Sequence, residues 1–233
     1  MKAGVLAVED DIADDIEAQF RAHIADAAFP CVGAKSAQAR DMLEVLVAFD
    51  MRSAWDDLRI HDGLLEWAER YRSDPAGLRS MAVVFEQPGE IDEAEFESLL
   101  WERLQSFAEK DNWLGQPYDP KVSSDPDDPH FSLSFGGQAF FVVGLGPQAS
   151  RPARQFRYPV MVFNLHDQFE TLRADGRYER MREAILERDR KLAGDINPML
   201  ARHGESSEAR QYSGRAVGEG WTCPFRDPRS SAS

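Results

Sequence analysis

Among 233 residues there are only two cysteines, five histidines and five lysines, and each scarcity closes a class of function. Cys31 and Cys223 stand far apart in a chain without an export signal, so they read as two reduced thiols rather than a disulfide framework. The N-terminus, Met1-Lys-Ala-Gly-Val-Leu-Ala-Val-Glu-Asp10, meets acids before it can supply the ~7 to 15 apolar residues of a secretory core. No later run approaches the ~18 uncharged apolar residues of a membrane span. The expectation is a cytoplasmic protein that makes no use of a membrane.

Basic charge is also short: 27 Lys and Arg face 41 Asp and Glu, a net charge of -14. Phosphate backbones are gripped by clustered Lys and Arg, so nucleic acid is not an expected partner. Missing too are Gly-x-Gly-x-x-Gly after a strand, a Walker loop, His-Glu-x-x-His and Gly-x-Ser-x-Gly. Gly33-Ala-Lys-Ser36 has the ending of a phosphate loop but lacks the earlier glycine and a preceding strand.

What the chain does contain is periodic. Apolar residues at three- and four-residue spacing predict helices over Asp14–Ala27, Ala37–Phe49, Ala54–Tyr71 and Asp92–Lys110, the last capped by Asp92 with Glu95. Met81–Phe85 reads as a buried strand between them. After a Pro- and Asp-rich loop from Gln116 to Pro129, Phe131–Phe135, Gly136-Gly137 and Ala139–Val143 spell a β-hairpin, and Val160–Leu165 a third strand of that region. Helices return at Asp167–Ala174 and Arg177–Leu192 around Gly176. Residues 227–233 read as a frayed tail. The sum is one α+β domain spanning 1–233, with a small, mostly antiparallel sheet packed against many helices.

Two side chains stand where chemistry is easy. His166 follows an apolar strand at the start of a helix, from which an imidazole can enter a cavity; the same position suits a helix cap or a satisfied core histidine. Cys31 lies in Phe29-Pro-Cys-Val-Gly-Ala-Lys35, near a helix start at Ser36 and beside Lys35, which favours a thiolate; an inert buried thiol is the alternative. Neither has the close partners of a zinc site. Cys223 reads as packing, and His23, His61, His130 and His203 as surface or capping residues. Six acids between Glu86 and Glu97 read as a solvated face. Arginine, at 22 residues, far outnumbers lysine, with sets at Arg151, Arg154 and Arg157 and at Arg210 and Arg215 around Tyr212. Such forks suit carboxylates or phosphates, and a general arginine bias also produces them.

Taken in order, Phe29–Lys35, Phe131–Gly137, Phe140–Gly144, Ser150-Arg-Pro-Ala-Arg154, Phe163-Asn-Leu-His-Asp-Gln-Phe-Glu170, Asp195–Leu200, Glu208-Ala-Arg-Gln-Tyr-Ser-Gly214 and Trp221-Thr-Cys-Pro-Phe225 make the chain resemble the YqcI/YcgG family over about residues 15 to 226. Members of that family resemble the heme-dependent N-hydroxylase of guanitoxin biosynthesis. The resemblance implies a heme b iron oxygenase that hydroxylates a nitrogen of a small, cationic guanidine or amine, using dioxygen and an external electron donor; a homodimer is compatible with it. It implies one axial ligand, His166, with Cys31 as rival. Under that reading Arg151, Arg154, Arg210, Tyr212 and Arg215 are candidates for the propionates, and charge complementarity makes Glu170, Glu205 and Glu208 candidates for a cationic substrate. One position departs from the pattern: several relatives carry histidine where this chain has Gly146. The competing expectations are a heme or small-molecule binding and sensing protein without turnover, and a cofactor-free enzyme with Cys31 as nucleophile.

Overall fold

The computed structural model describes residues 2–195 and 206–231. The elements run α1 (Lys2–Ala25), α2 (Val32–Ala39), β1 (Leu43–Asp50), α3 (Asp57–Ser73), β2 (Ser80–Gln87), α4 (Glu93–Trp113), β3 (Leu133–Phe135), β4 (Gln138–Leu145), β5 (Val160–Leu165), α5 (His166–Ala174), α6 (Tyr178–Ala193) and α7 (Ala209–Tyr212). The five strands form one sheet in the order β1-β2-β5-β4-β3. Only β1 and β2 pair in parallel; the other three pairings are antiparallel. This is the expected α+β domain.

The sheet is covered on both faces. Against one face, α3 brings Ile60, Leu64 and Trp67 and α4 brings Phe96, Leu100, Leu104 and Phe107, meeting Val83, Phe85, Phe140, Val142 and Phe163. Against the other, Ile16, Phe20 and Ile24 of α1 meet Leu43, Ala82, Val84 and Val160. Strand alternation assigns these sets, because successive side chains of β2 and β5 point to opposite faces. Gly144 is where α4 comes closest: a Cβ there would lie 2.7 Å from Phe96 Cε1 and 2.9 Å from Leu100 Cδ1, so any side chain would push the helix off the sheet. The β3–β4 hairpin turns through Gly136 and Gly137 at φ 57° and 72°, the left-handed pair that a two-residue turn needs.

Three expectations are corrected. The helix over Ala37–Phe49 ends at Ala39, and Leu43–Asp50 is a strand. Asp41 at φ 57° breaks the helix, and Leu43, Val45 and Val47 then bury one face while Leu46 and Ala48 bury the other, which rewards strand pairing with β2 over helical period. The tail is docked through residue 231: Arg229 Nη2 donates to Asp111 Oδ2 at 2.9 Å, and Asp227 is buried. Of the histidines read as surface or capping, His61 is fully buried with Nε2 2.9 Å from Asp111 Oδ1, and His23 packs between Phe29 and Phe156. His130 is exposed beside Asp128, and His203 lies outside the described residues.

Candidate functional site

On the α1 and α2 side of the sheet one row of residues crosses three strands. Ser80 of β2 is registered with Asn164 of β5, which is registered with Phe141 of β4. Ser80 Oγ donates to Asn164 Oδ1 at 2.7 Å, and Asn164 Nδ2 donates to the Phe141 carbonyl at 3.4 Å, so the row is tied together. With Val143 it floors a cavity of about 210 Å³. One wall is the start of α2, with Cys31 and Ala34; a second is α5, with His166, Phe169 and Arg173. The roof is the apolar stripe of α6, Tyr178, Met181, Ile185 and Leu186, and the far end is Glu208 and Gln211 of α7. Tyr178, Met181 and Ile185 follow helical period, and the stripe faces the cavity, since Asp189 alone among the α6 residues is buried.

His166 is the first residue of α5, directly after the end of β5, and is 8% exposed. Burial lowers its pKa, with Glu170 one turn on (Nε2 to Oε1, 3.9 Å) pulling the other way. Burial thus favours the neutral imidazole, the form that ligates metal.

Cys31 lies on the opposing wall, as the N-cap of α2, with Sγ accepting from Ala34 N at 3.4 Å. The helix starts at Val32 and not at Ser36, so the thiol sits on the helix end itself. Burial nevertheless pushes the thiol above its ordinary value, against the amides of Ala34 and Gly33 and the charges of Arg154 and Lys35. The expected thiolate is thus not the resting form. Cys223, on the other side of the sheet, is buried and pushed up to about 12 by burial, which fits its packing role. Both thiols are free.

Glu208 is 8% exposed, and two hydroxyls converge on one of its oxygens: Ser132 Oγ donates to Oε1 at 2.6 Å and Tyr212 OH at 2.5 Å. Burial pushes this carboxyl up to about 7 despite those bonds. Burial and the adjacent Glu208 hold the Tyr212 phenol far above its ordinary range.

The arginines named as propionate candidates are engaged by the protein's own groups. Arg151 grips Asp189 of α6 at 2.5 Å and Asp195 at 2.9 Å. Arg154 donates to the carbonyls of Gly144 and Gln211. Arg210 donates to the carbonyls of Gly218 and Trp221, and Arg215 pairs with Glu97. None of these four, nor Tyr212, lines the cavity. Glu97, expected on a solvated face, is buried; burial would raise its pKa, but bonds from Arg215, Trp221 and Ser213 overcome that and lower it. The guanidinium groups that do line the cavity are Arg173, paired with Glu170 and stacked 4.4 Å over the Tyr178 ring, and Arg182. Of the substrate candidates Glu208 lines the cavity, Glu170 stands beside it on α5, and Glu205 lies outside the described residues.

The sequence reading missed Asn164, Arg173, Arg182 and Gln211. None of the four carried a signal in the sequence, since each becomes a cavity residue only through tertiary packing. Gly146 is not a cavity position: its Cβ would face Phe96 of α4, at 3.4 Å from the ring, across the sheet. Among the described residues no three His, Cys, Asp or Glu side chains converge to hold a bare metal ion, and no helix is long and apolar enough to cross a membrane.

The chain is thus an α+β domain whose covered five-stranded sheet carries a semi-enclosed cavity, apolar in its roof and lined by an imidazole, a thiol and a carboxyl. No curated protein and no solved structure matches the chain. A family model does, over residues 20–226: the chain belongs to the YqcI/YcgG family.

Proposed function

We propose that this protein is a heme-dependent oxygenase that hydroxylates a nitrogen of a small guanidine- or amine-containing metabolite. The observation that carries the reading is a buried His166 facing the same cavity as Glu208. Iron held in a macrocycle needs one protein ligand and an open opposite face, which a lone imidazole supplies and a three-residue metal site does not. The donor set fits: His166 for the iron, with Cys31 as the other candidate, Arg173 and Arg182 for the propionates, and Phe141, Phe169 and the α6 stripe as apolar walls. When bound, heme supplies activation of dioxygen.

The chain's own part is to hold the imidazole neutral, exclude water beneath α6 and present Glu208 to the substrate. In the net reaction N–H and dioxygen, with two electrons from an external donor and two protons from solvent, give N–OH and water. Glu208, poised near neutrality, can accept an N–H bond when ionised and hold a proton when not.

The enclosed volume of about 210 Å³ lies below the roughly 300–1,000 Å³ of common ligand clefts. A macrocycle therefore requires α6 to stand further from the sheet. That volume favours a second reading: a binding protein for a small apolar molecule with a polar head, without heme or turnover. Incubation with hemin, dioxygen, a reductant and a panel of guanidines and amines, followed by mass spectrometry, separates them. Gain of one oxygen atom in a nitrogen compound, lost in His166→Ala, supports the oxygenase; tight binding without product supports the carrier.

A further inference from the structure

Gln211 is 8% exposed, and its backbone is fully used. Its N–H donates to the Glu208 carbonyl at 2.9 Å, and its carbonyl accepts from Arg154 Nη2 at 3.2 Å. The side-chain amide, by contrast, makes no hydrogen bond among the described residues, and it lines the cavity. Three residues earlier on the same turn, Glu208 has Oε1 occupied by Ser132 and Tyr212, while Oε2 accepts nothing among the described residues. Spacing of three places both side chains on one helical face. Neither the amide nor Oε2 is among the fully buried unpartnered atoms, so both remain reachable from the cavity that their residues line, where a ligand's polar group can meet them.

We infer that Gln211 is a specificity-determining residue that acts with Glu208, the two together reading a ligand head that carries two N–H donors. Glu208 Oε2 takes one donor and Gln211 Oε1 the other. The apolar α6 roof then covers the ligand's body, and the fixed backbone of Gln211 holds the amide ready. A head of hydrocarbon leaves both oxygens unpaired, which is the stronger form of discrimination. The inference rests on the proposed function only in taking this cavity as the ligand site; heme need not be present. Water in the cavity is the rival partner for both groups, and it predicts no preference between heads.

Benzamidine and cumene are matched in shape, one ending in two nitrogens and the other in two methyls, and serve as probes. Dissociation constants are measured by chemical-shift titration of the full chain, with hemin uptake followed by absorbance on the same samples. The expected result is roughly ten-fold tighter binding of benzamidine than cumene by the native chain. Gln211→Met should remove most of that preference while leaving cumene within about two-fold, and Glu208→Gln should weaken benzamidine at least as much. Equal affinities, no binding of benzamidine, or an unchanged preference in folded Gln211→Met would overturn the inference. Should Gln211→Met fail to fold, an unchanged preference in Glu208→Gln does the same. Hemin uptake with no head preference defeats this inference and spares the heme reading; head preference without hemin uptake does the reverse.

Discussion

Tyr212 gives its hydroxyl to Oε1 of Glu208 across 2.5 Å, one turn away on α7, and that bond holds the carboxyl at the end of a largely apolar cavity, while Oε2 makes no hydrogen bond among the described residues. Burial outweighs the bond, so the carboxyl titrates at about 7.

Stability should therefore fall as pH rises. Below the unfolded value near 4.5 both states hold the proton; between there and about 7 only the folded state does, so the unfolded chain gains by ionising. Urea denaturation should show a loss on the order of 3 kcal/mol from this group between pH 4.5 and 7, levelling above 7. Glu208→Gln should remove that component. An unchanged slope in the variant would show that Glu208 is not the titrating group.

Tyr212→Phe should cost about 1–3 kcal/mol, since Glu208 Oε1 and the Phe140 carbonyl each lose a hydroxyl donor in a buried setting. It should also push Glu208 further up, moving the midpoint of the pH-dependent component to higher pH. Equal midpoints in wild type and Tyr212→Phe would speak against the bond.

The roof depends on a latch. Arg151 bonds Asp189, the one buried residue of α6, through both Nε and Nη2. Arg151→Met strands that carboxylate, a change worth roughly 3–5 kcal/mol where it is felt. Because α6 carries little other core packing, the effect should be local. Hydrogen exchange should quicken over Tyr178–Ala193 and stay constant in β2 and β5. Uniform quickening across the sheet would mean that α6 is integral to the core.

Cys31 should alkylate slowly at neutral pH, because burial keeps its thiol protonated, and Cys223 more slowly still. Iodoacetamide labelling followed by peptide mass spectrometry should give a rate below that of a free thiol at pH 7 and rising above pH 9. Faster than free-thiol labelling of Cys31 would revive a nucleophilic role.

The fold was largely legible because its signals are local. The Gly136-Gly137 turn, the Phe96–Phe107 stripe with its Asp92 cap, and the β5–α5 junction at His166 are each written within a few residues. β1 was misread because LEVLVAFD gains its partner only when Ser80–Gln87 lies alongside, a pairing that local period does not carry. The site was legible where a residue type was scarce, as with His166 and Cys31. It was illegible for the arginines: Arg151 goes to Asp189, Arg215 to Glu97 and Arg154 to carbonyls, while Arg173 lines the cavity although it pairs with Glu170, and these are tertiary placements that the sequence does not carry. Gln211 gave no sign, since an amide between Arg210 and Tyr212 becomes informative only once its partners are seen to be missing.

The central claim is that His166 presents an imidazole to a heme in this cavity. Hemin titration of the purified chain, read by absorbance and a pyridine hemochromogen count, tests it most directly. The account predicts a sharp Soret band at about one heme per chain, shifted by reduction and carbon monoxide, lost in His166→Ala and kept in Cys31→Ala. Saturable uptake that is indifferent to His166, or no specific uptake at all, would contradict it.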